Sequence, residues 1–207
     1  MEKQFDVIVA GGGPAGIAAA VSAARCGANT ALIERYGILG GMMTSGAVHP
    51  ILGNTAPNTM YQEVCALLNE GHENVPKDTT RNGSEIHVDP EEAKYRLLKL
   101  VCDSGVKLYL QTPIADVCKD GDRVTGVTVV TQDGLVTLNA KCVVDSTGDG
   151  FVAYRAGAEY HVGRESDGRC QPLSTEFTLE NVDEARAITC WGGSDPVTMP
   201  DGKKFSV

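Results

Sequence analysis

The sequence predicts an α/β fold that begins with a βαβ unit. An apolar run from Phe5 to Ala10 passes directly into a glycine cluster, an alanine-rich segment from Ala15 to Cys26 follows, and a second apolar run covers Thr30 to Ile33. The first and last of these runs have the character of buried strands, and the alanine-rich segment favours a helix. Glycine accounts for 24 of the 207 residues, which is well above the roughly 7% of average proteins.

Composition and charge exclude several classes of function. Hydrophobic residues make up 42% of the chain and charged residues 22%, which is typical of a folded globular protein. The formal net charge of −9 opposes binding to nucleic acid and to anionic membranes, so neither is expected as a partner. The seven cysteines include no C-x-x-C pair, so no metal site and no disulfide framework is expected. The chain start lacks a signal-peptide pattern, which favours a cytoplasmic location.

The rest of the chain predicts a glycine-rich loop, two helices and a β-meander. The loop covers Arg35 to Asn58, and an irregular segment of that length in a compact domain is usually functional. Helices are expected from Thr59 to Asn69 and from Asp89 to about Gly105. Asp-Gly sequences that separate the later apolar runs predict hairpin turns. The predicted strands are Val106–Gln111, Ala115–Cys118, Val124–Thr131, Leu135–Leu138 and Lys141–Val144.

The glycine cluster matches a dinucleotide-binding fingerprint in its expected context. Gly11-x-Gly13-x-x-Gly16 lies between the first strand and the helix, and Glu34 ends the second strand. Gly11 would permit the tight turn, Gly13 would let the backbone approach a pyrophosphate at the helix N-terminus, and Gly16 would let the helix pack closely. Glu34 would bind ribose hydroxyls. The fingerprint alone serves NAD, NADP and FAD, and the alternative is a strand-to-helix turn without a ligand.

Further segments follow the fingerprint in a fixed order. They are Glu34-Arg35-Tyr36-Gly37-Ile38-Leu39-Gly40-Gly41-Met42, Thr44-Ser45-Gly46, Asp89-Pro90-Glu91 and Asp145-Ser146-Thr147-Gly148-Asp149-Gly150. Together these segments resemble the two-dinucleotide-binding-domain flavoproteins, and in particular the FAD-dependent oxidoreductase family that includes the flavin-binding part of heterodisulfide reductase. The resemblance covers about residues 5–180. It implies a Rossmann-like FAD-binding domain with a β-meander, of the glutathione-reductase type, over residues 1–157, and the start of a β-containing substrate domain over residues 158–207.

The resemblance also implies which residues contact the cofactor, FAD. Paired glycines 40 and 41 would bring backbone N–H groups to the phosphate or flavin side, and the motif at residues 147–149 would close over the cofactor. Ile114 would offer backbone groups to adenine, and Arg35 is a candidate to neutralise a phosphate. The predicted cofactor-binding residues are Gly11, Gly13, Pro14, Ala15, Gly16, Glu34, Arg35, Gly40, Gly41, Met42, Ile114, Thr147, Gly148 and Asp149.

Three of these assignments have structural alternatives. Gly40 and Gly41 could belong to a mobile surface loop. Thr147-Gly148-Asp149 could be a strand-to-helix turn in which Asp149 is the N-cap. Arg35 could form an ordinary exposed salt bridge.

His49 is the candidate catalytic acid or base, because it follows Thr44-Ser45-Gly46 by a few residues and lies on the stretch that the resemblance places beside the flavin. We expect hydride or electron transfer between the flavin and a small-molecule substrate. Relatives of the heterodisulfide reductase type add cysteine clusters for iron–sulfur centres, and this chain lacks that spacing. Cys26 and Cys142 are expected to be buried small hydrophobic residues.

Two alternative functions remain open on the sequence. One is an NAD(P)-dependent dehydrogenase, which the meander and the strand-end motif disfavour. The other is a non-catalytic FAD-binding protein that a partner chain completes. The resemblance also implies a final strand and helix that return to the flavin after the substrate domain. We find no such segment before Val207, so we expect a truncated product or one half of a split enzyme.

Overall fold

The computed structural model describes residues 3–48, 51–52, 59–71, 85–86, 88–171, 173, 175, 197–198 and 204–205. The chain divides into two compact units, Met1–Ser174 and Thr175–Val207. The strands of the first unit are β1 (Gln4–Ala10), β2 (Thr30–Ile33), β3 (Ile51–Leu52), β4 (Glu85–Ile86), β5 (Lys107–Tyr109), β6 (Ile114–Asp120), β7 (Arg123–Thr131) and β8 (Gly134–Asp145). Its helices are α1 (Pro14–Arg25), α2 (Met60–Asn69), α3 (Pro90–Asp103) and α4 (Phe151–Ala156), with a short 3-10 helix at Gly41–Met43.

The second unit contains one antiparallel pair of strands among its described residues. β9 (Val197–Thr198) pairs with β10 (Lys204–Phe205). Most of the β-containing substrate domain that is expected to start at residue 158 lies, beyond residue 171, outside the described residues. The boundary expected between residues 157 and 158 stays a prediction.

Six strands of the first unit form one mixed sheet in the order β5-β2-β1-β8-β7-β6. β5, β2, β1 and β8 are parallel to one another, and β7 is antiparallel to both β8 and β6. The βαβ unit and the β-meander are therefore confirmed. β3 and β4 pair with each other in a separate antiparallel ribbon, and β3 lies within the segment that is predicted as a loop.

The helix ends follow local signals in the sequence. Gly27 and Gly105 follow α1 and α3 with φ of +84° and +77°, the left-handed conformation in which helices commonly end. The carboxylate of Asp89 accepts hydrogen bonds from the N–H groups of Glu91 and Glu92. The glycine conformations confirm the predicted ends of both helices, and the hydrogen bonds to Asp89 confirm the predicted N-cap.

The last part of the meander differs from the prediction, because the two expected runs at residues 135–138 and 141–144 form one strand, β8. Asn139 pairs with Gly126 of β7 on one side and with Gln4 of β1 on the other. Buried Leu138 and Ala140 alternate with exposed neighbours through this point, which is the pattern of a half-buried strand. The polar residues at its centre therefore face outward and do not interrupt the ladder.

Apolar side chains cover both faces of the sheet. One cluster packs the helices on the parallel strands, and its members include Val9, Ile17, Val21, Leu32, Leu97 and Val101. The other joins β1 and β2 to β7 and β8, and its members include Phe5, Ile8, Ile33, Val127, Val129 and Leu138. β5 and β6 lie at opposite ends of the strand order but are joined only by residues 110–113, so the meander curves back across that face.

The expectation of buried cysteines was wrong for Cys26 and Cys142, which are both exposed. Cys26 lies immediately beyond α1, where the chain is at the surface, and Cys142 follows the exposed Lys141 near the end of β8. Among the described residues, no helix has the length and apolar character that crossing a membrane requires.

Candidate dinucleotide site

The predicted site residues converge on one edge of the sheet. The carboxyl ends of β5, β2, β1 and β8 lie side by side in that order, because these four strands are parallel. The segments that follow these four ends are, respectively, residues 110–113, Glu34, the glycine fingerprint and residues 146–150. Ligands of open α/β sheets bind at this edge. Segments far apart in the chain are therefore neighbours here.

Gly11 and Gly16 are required by the protein itself. Gly11 has φ of +101°, and a Cβ atom there would lie 2.3 Å from the carbonyl oxygen of Ser146. A Cβ atom on Gly16 would lie 1.8 Å from the carbonyl oxygen of Gly11. These contacts agree with the expected roles of the two glycines in the tight turn and in close helix packing.

Gly13 has no such internal reason to be glycine. Its φ of −73° is open to any residue, and a Cβ atom there would meet nothing within 4 Å. The space in front of Gly13 is therefore free for a ligand. Among the described residues, none accepts a hydrogen bond from the N–H groups of Gly13 or Ala15 at the start of α1. Free N–H groups and the positive end of the helix dipole suit a pyrophosphate, so the fingerprint fits a dinucleotide.

Glu34 is buried beside the fingerprint, with 7% of its surface exposed. One carboxylate oxygen accepts a hydrogen bond from the N–H of Gly12 at 2.6 Å, and the other accepts from the N–H of Tyr36 at 2.8 Å. Each oxygen has capacity for a further donor. The carboxylate therefore joins the fingerprint to the loop after β2 and can still accept from ribose hydroxyls.

The paired glycines at 40 and 41 pack against the fingerprint. The N–H of Gly40 donates to the carbonyl of Gly12 at 2.9 Å, and a Cβ atom on Gly41 would lie 3.0 Å from Cα of Gly13. Leu39 and Met43 on either side are buried in the core. The two glycines are therefore packed against the fingerprint and anchored by the flanking apolar residues, which disfavours the alternative of a mobile surface loop. Met42, which is predicted to contact the cofactor, is exposed.

Arg35 is positioned by an aromatic ring. Its guanidinium carbon lies 4.8 Å from the ring centroid of Tyr36, in the geometry of a cation–π contact. Within the described parts of the chain, Arg35 forms no salt bridge. Its charge is therefore available next to Glu34.

The connection between β5 and β6 is fastened to the segment after β2. The N–H of Gln111 donates to the carbonyl of Tyr36, and the N–H of Thr112 donates to the carbonyl of Glu34, both at 2.9 Å. Gln111 has φ of +50°, which is uncommon for a residue with a side chain. This connection leads directly into Ile114 and holds it near Glu34. No local pattern in the sequence indicates that this connection is attached to the segment after β2.

The backbone groups of Ile114 point away from β7. Ile114 lies opposite Val129, and the N–H of Val130 donates to the carbonyl of Pro113 at 2.9 Å. Because hydrogen-bonded and non-hydrogen-bonded pairs alternate in an antiparallel ladder, the pair at Ile114 is of the second kind. Its N–H and C=O therefore face the outer side of edge strand β6, as contact with an adenine edge would require.

The strand-end motif at residues 145–150 forms a strand-to-helix turn, as its structural alternative supposed, but with a different N-cap. Gly150, with φ of +67°, is the N-cap of α4, so Asp149 does not hold that position. Asp145 and Thr147 instead satisfy N–H groups in the first turn of α4. Sequence reasoning missed this role of Asp145. The spacing Asp-x-Thr, in which an acidic side chain can accept from the backbone two residues later, was the available signal.

The candidate catalytic residue, His49, lies outside the described residues, and its role stays a prediction. Arg155 and Arg164 pair with Asp116 and Asp167 respectively. Across the described ranges, no group of three or more histidine, cysteine or acidic side chains could hold a metal ion.

Comparisons with known proteins identify the family of the chain. A family model described as FAD dependent oxidoreductase matches residues 6–204. Over 185 residues the chain is 32% identical to the tRNA uridine 5-carboxymethylaminomethyl modification enzyme MnmG of Aquifex aeolicus, covering 83% of this chain and 29% of that protein. It is 30% identical over 183 residues to a thiamine thiazole synthase of Methanothermobacter thermautotrophicus, covering 81% and 66% respectively. The chain thus spans less than two thirds of the length of either relative.

Solved structures show the same fold. A geranylgeranyl bacteriochlorophyll reductase-like protein from Thermoplasma acidophilum aligns with a TM-score of 0.56 and 20% identity, covering 77% of this chain and 43% of that one. THI4 from Thermovibrio ammonificans aligns with a TM-score of 0.54 and 24% identity, covering 73% and 61%. The family match over nearly the whole chain is decisive: this protein belongs to the FAD-dependent oxidoreductase family, and its cofactor is FAD.

Proposed function

We propose that the chain binds FAD non-covalently across the carboxyl edge of its sheet and supports hydride or electron transfer between the flavin and a small-molecule substrate. The observation that carries the binding mode is the free space at Gly13 beside N–H groups that have no acceptor among the described residues. The strand order extends that site in both directions, toward Glu34 on β2 and toward residues 145–150 on β8.

Each part of this edge has a distinct task. The N-terminus of α1 would compensate the pyrophosphate charge, since the helix dipole and the N–H groups of Gly13 and Ala15 act together there. Glu34 would accept from the adenosine ribose, and the outward backbone groups of Ile114 would meet the adenine edge. The flavin supplies the redox chemistry when bound, while the protein binds and orients it.

Gly13→Val tests the binding mode. A Cβ atom at Gly13 would meet nothing within 4 Å, and a valine side chain would occupy the space in front of the fingerprint, so we expect a folded variant that no longer binds FAD. Visible flavin absorbance of the purified protein is the readout, with mass analysis of any released cofactor. Ser22→Val adds a valine side chain at an exposed position of α1 and should retain FAD. A folded Gly13→Val variant with unchanged FAD affinity would contradict the proposal.

The same spectrum tests the dehydrogenase alternative, which the family match does not favour. A protein that stays colourless with FAD and binds NAD tightly would support it.

The alternative of an FAD-binding protein completed by a partner is tested by reduction of bound FAD with candidate donors. Turnover by the isolated chain would exclude a need for the partner.

A further inference from the structure

We draw no further inference here: the strongest candidate, the exposed surface that Tyr154 of α4 forms with Tyr160 and Val162, is an unpartnered apolar face, and nothing in the described part of the chain shows what covers it.

Discussion

Three glycines of the fingerprint, Gly11, Gly13 and Gly16, are needed for different reasons. Positive φ and the Ser146 carbonyl exclude side chains at Gly11, and the carbonyl of Gly11 excludes them at Gly16. Gly13 is free of both constraints. Substitution at the first two positions therefore damages folding, whereas substitution at Gly13 damages only ligand approach. This difference makes Gly13 the residue that reports on the cofactor.

Glu34 has a structural role in addition to its expected contact with ribose, because its two oxygens already accept from two backbone N–H groups. In Glu34→Gln, the amide nitrogen must face one of these donors. We expect the free energy of unfolding to fall by about 2 kcal/mol, the cost of an unsatisfied buried donor. Urea denaturation without ligand measures this. Glu159→Gln at an exposed position is the control, and equal stabilities of the two variants would contradict the role.

At the scale of elements, α3 begins at a strong local signal. Asp89 accepts from two N–H groups of the first turn, and Glu91 and Glu92 place negative charge at the positive end of the helix dipole. α3 in turn supplies Leu97 and Val101 to the core that supports β1 and β2. Its stability therefore affects the edge on which the site is built.

Asp89→Ala should lower the free energy of unfolding by about 1 kcal/mol, because the side-chain acceptor of the N-cap is lost. Asp89→Asn keeps an acceptor oxygen and should lose only part of this stability. Chemical denaturation of the three proteins compares them directly. An alanine variant as stable as the wild type would show that these hydrogen bonds add nothing to folding.

For the whole molecule, ion pairs at the surface contribute to the response to acid, although each exposed pair adds little stability. Lys141 bonds to Asp6 between β8 and β1, and Arg25 bonds to Glu63 between α1 and α2. In each case the hydrogen bond from the basic side chain is the main cause of a lowered carboxyl pKa. The carboxyl groups affected in this way are Asp6, Glu63, Asp116 and Asp167.

Stability should therefore fall in acid. A carboxyl group with a lowered pKa in the folded state stabilises the fold above its unfolded pKa, and that stability is lost as the pH falls through its folded pKa. We expect the free energy of unfolding to decrease below about pH 5 and more steeply below about pH 4. Denaturation at several pH values measures this, and Asp145→Asn should reduce the slope in acid. A stability that stays constant from neutral pH down to about pH 3 would contradict the expectation.

The sequence by itself determined the βαβ unit, the helix ends, the hairpin turns and the family of the protein. These depend on signals within a few residues, such as the cap at Asp89, the left-handed glycines and the fingerprint followed by Glu34. Hydrophobic periodicity and turn-forming residues depend only on positions close together in the sequence, so they can be recognised before the fold is known.

Only the tertiary structure decided how distant segments complete the site. Packing of Gly41 on Gly13, attachment of Gln111 to Tyr36 and the contact of Ser146 with Gly11 each join segments far apart in the chain. The continuity of β8 likewise follows from its having partners on both sides. The physical reason is that parallel strands bring their carboxyl ends together whatever their separation in sequence. Local signals specify the elements, and the strand order determines which residues lie together at the candidate site.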